Sequence, residues 1–434
     1  MRLFRALQLR QSEGDPIRIG ASAMGWMGEG FAAAMDLVPG MELSMMANAE
    51  PGEAYNALTA AGVPAEQIVE AGTPGAAEDA LRAGKRVVTA DVTLPAQIPT
   101  LDLVTDVTWS PATGAKTAMS CIEHGMDVVL INIEADVTVG RILKEKAHQA
   151  GVLYSVSSGD EPGCLMELVD FVRSLGYEII TIGKGKNNPL DISATPESVA
   201  ESARKVDKDP YQVASYVDGT KTMFEMACAA NATGCRPMRR GMIGPEADLE
   251  TAPQIFALEE DGGLSRFPGN VDFVQGSALA GGVFVVVRVE DARIRSDLQY
   301  LKVGKGKYYV FFRPYHLWFL EAPVSLARAV LYREVWMEPL DRPVAEVLTV
   351  AKRDLVPGET LEGAGGYTCY GLIDLAEEAQ RLHALPAGLS TGAKVVRPVR
   401  QGEILTWDDV TVEESSTVVR LRREQDRLIS GIGA

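Results

Sequence analysis

The chain has 434 residues, is 46% hydrophobic and 23% charged, and carries 42 Lys+Arg against 59 Asp+Glu, a formal charge of -17. That length suits two or three globular domains. So acidic a balance excludes a general binder of nucleic acid or anionic membrane surface, because phosphate arrays demand a basic face.

No apolar run approaches the ~20 residues of a membrane span, and the opening "MRLFRALQLRQSEGDP" lacks the apolar core of a signal peptide. Five scattered cysteines, never spaced CxxC, point to a reducing compartment and no zinc knuckle. The expected location is the cytoplasm.

The first elements read as strand, glycine turn, helix and strand. Ile17 and Ile19 open the strand, "FAAAMDLV" has helical composition, and "MELSMMAN" is the second strand. This is the βαβ unit of a dinucleotide-binding domain. The fingerprint GxGxxG falls on Ala23-Met24-Gly25-Trp26-Met27-Gly28, with alanine in place of the first glycine. Gly25 lets the backbone approach a pyrophosphate, and Gly28 lets the helix pack on the strand. Ser22, Ala23, Met24, Gly25, Trp26 and Met27 are therefore expected around a nicotinamide cofactor. The second strand ends in Asn48-Ala49-Glu50: Asn48 points to NADP and Glu50 to NAD, and both stay open.

Alternation continues through "AEDALRAG" (helix), "KRVVTAD" and "LDLVTDVTW" (strands), "AKTAMSCIEHG" (helix) and "MDVVLINIEAD" (strand). Helix, strand, helix and the strand "YEIITIGKGKNN" follow, which predicts a largely parallel sheet. The loop Asp106–Thr117, with Thr108 and Pro111, suits the nicotinamide ring. Glu134 is placed at a strand's carboxyl end, where α/β proteins hold ligands. In "SSGDEPG", Asp160 and Glu161 are metal-ligand candidates together with Glu134, for a hard ion such as Mg or Mn, with helix capping the competing role for Asp160.

The stretch "VDGTKTMFEMACAANATG" places Lys221 and Glu225 one helical turn apart among apolar neighbours. Lys221 is the expected proton donor, oriented by Asp218 or Glu225. In "IGKGKNNP" two lysines flank a glycine, so Lys184, Lys186 and Asn187, with Asn231, are expected to hold a small phosphate. Residues 236–310 are richer in Gly, Arg and β-prone runs, and the stretch after Pro343 reads as a small β domain.

"GDEPG", "GKGKNNP", "VDGTKTMFEMACAANATG" and "YYVFFRPYHLWFLEAP" together resemble the homoserine-dehydrogenase-like NAD(P) oxidoreductases with a C-terminal SAF domain. Within that family the chain is most similar to the 1-deoxy-D-xylulose 5-phosphate reductoisomerase-like branch of isoprenoid biosynthesis. The resemblance runs from about Ile17 to Leu428. It implies a homodimer and three consecutive parts: a Rossmann-like NAD(P)-binding domain (1–158), an α/β catalytic domain (159–340) and a small SAF-type β-clip (341–434). It also implies a sugar-phosphate substrate, NADP or NAD, a divalent metal, and catalytic roles among Lys221, Glu225, Asp218, Lys184 and Asp160. The chain departs from the family at "SAMGWMG", at Ala49-Glu50, and at "GDEPG" where the family has "GDQPG". A related branched sugar- or polyol-phosphate isomerase with retained NAD, a homoserine dehydrogenase and a non-catalytic sugar-binding SAF protein are the alternatives.

Overall fold

The computed structural model describes residues 2–23 and 25–431. The chain folds into two compact units, each assembled from separate stretches: unit 1 from 1–160, 317–338 and 415–434, and unit 2 from 161–316 and 339–414.

In unit 1, α1 (Arg2–Glu13) precedes β1 (Ile17–Ser22), α2 (Gly25–Asp36), β2 (Met41–Ala47), α3 (Pro51–Ala60), β3 (Ile68–Glu70), α4 (Pro74–Arg82) and β4 (Arg86–Thr89). Then come β5 (Leu103–Asp106), α5 (Pro111–His124), β6 (Val128–Leu130), α6 (Ile133–Ala150) and β7 (Tyr154–Val156). The seven strands form one parallel sheet in the order β3-β4-β2-β1-β5-β6-β7. β1 is buried along nearly its whole length, as expected of a strand covered on both faces. The chain winds outward from β1 in one direction and from β5 in the other, so the topological switch point lies between them.

Unit 2 begins with α7 (Glu161–Ser174) and β8 (Glu178–Gly185), then α8 (Ala200–Lys205), α9 (Pro210–Val217) and α10 (Thr220–Thr233). β9 (Arg236–Pro237), α11 (Ala252–Ile255), β10 (Asn270–Val274), β11 (Val283–Arg288), α12 (Ala292–Tyr300) and β12 (Tyr308–Arg313) follow. Its main sheet is mixed, in the order β12-β11-β8-β10-β9, with β8 at the centre. The chain then returns to unit 1 through a 3-10 turn (Trp318–Leu320) and α13 (Ala322–Tyr332). Back in unit 2, β13 (Ala345–Ala351) pairs with β14 (Cys369–Leu375), followed by α14 (Ala376–Arg381) and the small pair β15 (Lys394–Val395) and β16 (Val410–Thr411). Last, α15 (Thr417–Gly431) belongs to unit 1.

The α/β class and the Rossmann-like sheet are as the sequence predicts, and a small C-terminal sheet is present. The division of the chain differs. Residues 341–414 join the stretch that begins at Glu161, and 317–338 and 415–434 go back to the first unit. Phe319, Leu326 and Ala327 fill the same core as Ile17, Ile19 and Phe31, which explains the return. A second difference concerns "MDVVLINIEAD". Its strand stops at Leu130, Asn132 caps α6 by accepting the Ala135 N–H at 2.9 Å, and Glu134 lies in the helix's first turn. Among the described residues no helix is long and apolar enough to cross a membrane.

Candidate functional site

In unit 1 the glycine turn lies where the fold demands it, between β1 and α2. Gly25 has φ +54, and a Cβ there would meet nothing within 4 Å, so its backbone faces open space. At Gly28 a Cβ would lie 3.0 Å from the Met46 methyl and 3.1 Å from Ala23, so this position serves close helix–strand packing. Both observations fit a dinucleotide whose pyrophosphate meets the start of α2. Met24 lies outside the described residues. Ala23, Trp26 and Met27 sit around the turn, and the buried Ser22 hydroxyl hydrogen-bonds Thr117 at 3.0 Å.

The second-strand tip is built as a turn. The Asn48 side-chain oxygen accepts the Glu50 N–H at 2.9 Å and its amide donates to Glu53 at 3.0 Å, while Glu50 itself is exposed. Asn48 thus shapes this loop, and the choice between NAD and NADP rests with what the loop presents.

Beside β1, β5 ends in Asp106, which is fully buried. Its carboxylate accepts the Thr108 N–H at 2.6 Å and hydroxyl at 3.2 Å, and faces the Asn132 amide at 3.4 Å. Thr108 therefore shapes the loop, and Pro111 starts α5 behind the Ser110 cap. Burial pushes the Asp106 carboxyl up to about 7, against the pull of these donors, and the charge on Glu134 adds to the rise. A raised carboxyl pKa means the native state binds more protons than the unfolded chain between about pH 4 and 7. Stability therefore falls as pH rises through that window and stays low above it. Asp106→Asn removes the penalty: relative to the unaltered protein, it gains stability on going from pH 5 to pH 8, on the order of a few kcal/mol. Urea melts at the two pH values check this, and an unchanged difference sinks it.

In unit 2 the richest cluster stands at the end of β8. Lys184, only 5% exposed, donates to Glu161 of α7 and to Glu225 of α10, each 2% exposed. Burial works against a charge on Lys184, but the two carboxylates outweigh it and hold the ammonium above the ordinary lysine range. His316 donates from Nδ1 to the Gly281 carbonyl at 2.8 Å, since a carbonyl only accepts, and turns Nε2 toward Glu161 at 3.6 Å.

Lys186, two residues on and on the same face of the extended chain, has a different environment. Its ammonium donates to the Tyr216 carbonyl at 2.6 Å, and it forms no ion pair among the described residues. Burial pushes it down to about 8, with the charge of Lys184 adding to the fall.

A third arrangement holds the base of α10. Asp218 accepts the Thr220 N–H at 2.8 Å and pairs with the buried Lys352 at 2.8 Å. Lys352 also donates to the carbonyls of Ala194 at 2.6 Å and Gly366 at 2.8 Å, tying three loops together. Burial raises the Asp218 carboxyl, with the Lys352 ammonium opposing.

Several expectations therefore shift. Glu225 turns to Lys184, while Lys221 is half-buried in the first turn of α10. Lys184 spends its charge on two carboxylates, which repel a phosphate rather than gather one. Asn231 is a clamp: its oxygen accepts the N–H groups of Val344 and Ala345, both at 2.9 Å, and its amide donates to the Ala345 carbonyl at 3.1 Å. Asn187 is exposed beyond the strand end. Of the proposed metal ligands, the adjacent Asp160 and Glu161 offer carboxylate oxygens that lie, with a His316 ring nitrogen, within 4.8 Å of one another, while Glu161 also pairs with Lys184 and Glu134 lies in the first turn of α6. Sequence reasoning missed Lys352, whose only signal is a lysine after the apolar strand "AEVLTVA", and His316.

Residues 159–322 match the family model described as "Oxidoreductase DRL, catalytic domain", which spans less than half of the chain. Together with the Rossmann-like sheet, this match supports an enzyme of the NAD(P)-dependent oxidoreductase class. No curated protein matches the chain. Among 352 matching chains of solved structures is a scyllo-inositol dehydrogenase from Lactobacillus casei with bound NAD(H) and scyllo-inositol: 14% identity, 74% of this chain and 90% of that one, TM-score 0.39. Another is the 1-deoxy-D-xylulose 5-phosphate reductoisomerase from Zymomonas mobilis in complex with NADPH: 15% identity, 50% and 57% coverage, TM-score 0.34. A third is the UDP-N-acetylglucosamine 3-dehydrogenase from Acidithiobacillus ferrooxidans: 12% identity, 63% and 65% coverage, TM-score 0.32. Likenesses this distant bear on neither substrate nor mechanism.

Proposed function

We propose that the protein is an NAD(P)-dependent oxidoreductase acting on a small sugar-type hydroxycarbonyl compound, with Lys186 as its proton-transfer group. The observation that carries the reading is the unequal treatment of two lysines at one strand end. Lys184 is held charged by Glu161 and Glu225, whereas Lys186 is left to gain and lose a proton near neutral pH. That is the property a general acid–base needs at its operating pH.

The turn Ala23–Gly28 and the first turn of α2 would hold the dinucleotide, which supplies or accepts a hydride. The chain's own residues do the rest. Lys186 Nζ gives its proton to a carbonyl oxygen in the reducing direction and takes it back in the oxidising one. The fixed ammonium of Lys184 keeps Lys186 poised by disfavouring a second charge beside it. Glu161 and Glu225 prevent Lys184 from releasing its own proton, and His316 borders the same carboxylate.

The resemblance adds the finer reading: a phosphorylated ketose, a reductoisomerase-like reaction, a homodimer, and an SAF-type role for the sheet β13–β14 and its neighbours. With Lys184 neutralised, any phosphate contact falls to Lys186, Asn187 and Lys208, whose ammonium lies 5.7 Å from the Tyr216 ring. The test is to denature the purified protein, identify released nucleotide by mass spectrometry, and assay a panel of paired sugars and sugar phosphates with NAD(P)(H). Turnover of the phosphorylated members alone is the expected result. Turnover of the unphosphorylated members alone removes the phosphate from the reading, and a chain that binds no dinucleotide sinks it.

A further inference from the structure

The turn Trp318–Leu320 and its neighbour Leu317 return to unit 1 and do more there than fill space. The N–H groups of Leu317 and Trp318 both donate to the Gly159 carbonyl, at 3.0 and 2.7 Å. Gly159 stands three residues beyond the end of β7, with φ +101, and a Cβ there would collide with the Trp318 carbonyl oxygen. Trp318 itself has φ +47, a left-handed conformation that costs a bulky residue energy and that persists only where surroundings enforce it.

From this anchor the Trp318 ring meets Trp26 edge-on, with centroids 5.5 Å apart. Phe319 meets Trp26 at 5.3 Å and packs where a side chain on Gly30 would stand. Trp26 and Gly30 lie one turn apart on α2, so both aromatic residues cover one face of that helix's start. The anchor follows β7 and the contact lies on the helix after β1. These strands are three places apart in the sheet, about 14 Å at the usual spacing. In the sheet order β5 and β6 lie between these two strands, and the switch point where this fold binds its ligand lies between β1 and β5.

We propose that Trp318, with Trp26, forms an aromatic strap across the dinucleotide crevice of unit 1 and sets how slowly the cofactor loads and leaves. The inference rests on the nicotinamide reading above. A dinucleotide laid along this sheet edge passes beneath the strap, so exchange requires the two indoles to part. An oxidoreductase so built suits a cycle in which one dinucleotide is reduced and reoxidised in place.

Stopped-flow measurement of NADPH and NADH binding and release by the full chain tests this, using nucleotide fluorescence and a chase of unlabelled dinucleotide. Trp318→Gly removes the ring and suits the left-handed backbone. Trp26→Leu, at a position 37% exposed, removes the other half of the pair. Both are expected to accelerate loading and release together by roughly tenfold, with Kd moving less than about threefold, as for a gate. Rates unchanged in a variant that melts like the unaltered protein overturn the proposal. So does faster release alone with a matching loss of affinity, which marks an ordinary contact. No binding of either dinucleotide by the unaltered chain would instead sink the oxidoreductase reading.

Discussion

Lys186→Met is expected to lower kcat roughly 100- to 10,000-fold, the range that a positioned acid–base contributes. The pH profile separates this role from a structural one. In the unaltered protein Lys186 is charged below about 8 and neutral above it. Carbonyl reduction needs its proton, so the reducing rate falls as pH rises through 8. Alcohol oxidation needs the free amine, so the oxidising rate falls as pH drops through the same value. Both limbs vanish in Lys186→Met. Lys186→Arg is the sharper control: it keeps a cation near the Tyr216 carbonyl but cannot release a proton. It is expected to fold normally and to lose oxidation. If Lys186→Met retains its rate and its pH profile, the proton passes elsewhere, and half-buried Lys221 becomes the next residue to test.

Much of this architecture is legible in the sequence, for a reason particular to its elements. The pattern of apolar strand, Gly25–Gly28 turn and helix is local, and so is the alternation that follows; periodicity reports local order well. The members of the buried cluster are legible too, since Glu161, Lys184 and Glu225 each stand out as charges on apolar elements. Their pairing is not. Spacing on a helix joins Glu225 to Lys221, because an i,i+4 rule sees only one helix. The fold instead brings Glu225 to a lysine 41 residues earlier and Asp218 to one far downstream. The same limit hides the return of Trp318–Leu320 and α15 to unit 1. Nothing in a linear reading says that Phe319 belongs with Phe31. Asn48 and Asn231 mislead in a related way: an amide beside a candidate site reads as a ligand contact, and here each satisfies backbone or side-chain groups that hold a turn or a strand in place.

Lys184→Met is expected to destabilise unit 2 by about 3–5 kcal/mol, the usual cost of removing one partner from a buried ion pair. The loss should exceed that of most single substitutions, because two carboxylates then remain, each almost without solvent, facing each other across the vacated ammonium. Neither side chain can turn to water without unpacking α7 or α10. The sign with pH follows from the same geometry. Without the cation, one carboxyl of the pair is driven to hold a proton, so its native pKa rises above the unfolded value of roughly 4.3. The native state then binds more protons than the unfolded chain, and stability declines as pH rises above that value. Lys184→Met should therefore lie nearest the unaltered protein at pH 5 and furthest at pH 8, with Lys184→Met/Glu225→Leu recovering part of the gap at pH 8 because one of the two opposed charges is gone. Urea melts of the three proteins at both pH values read this directly. A single variant within about 1 kcal/mol of the unaltered protein at pH 8, or a double variant less stable than the single, would mean that solvent reaches these groups. Lys184 would then not be a fixed charge, and Lys186 would have no fixed neighbouring ammonium to lower it toward neutrality.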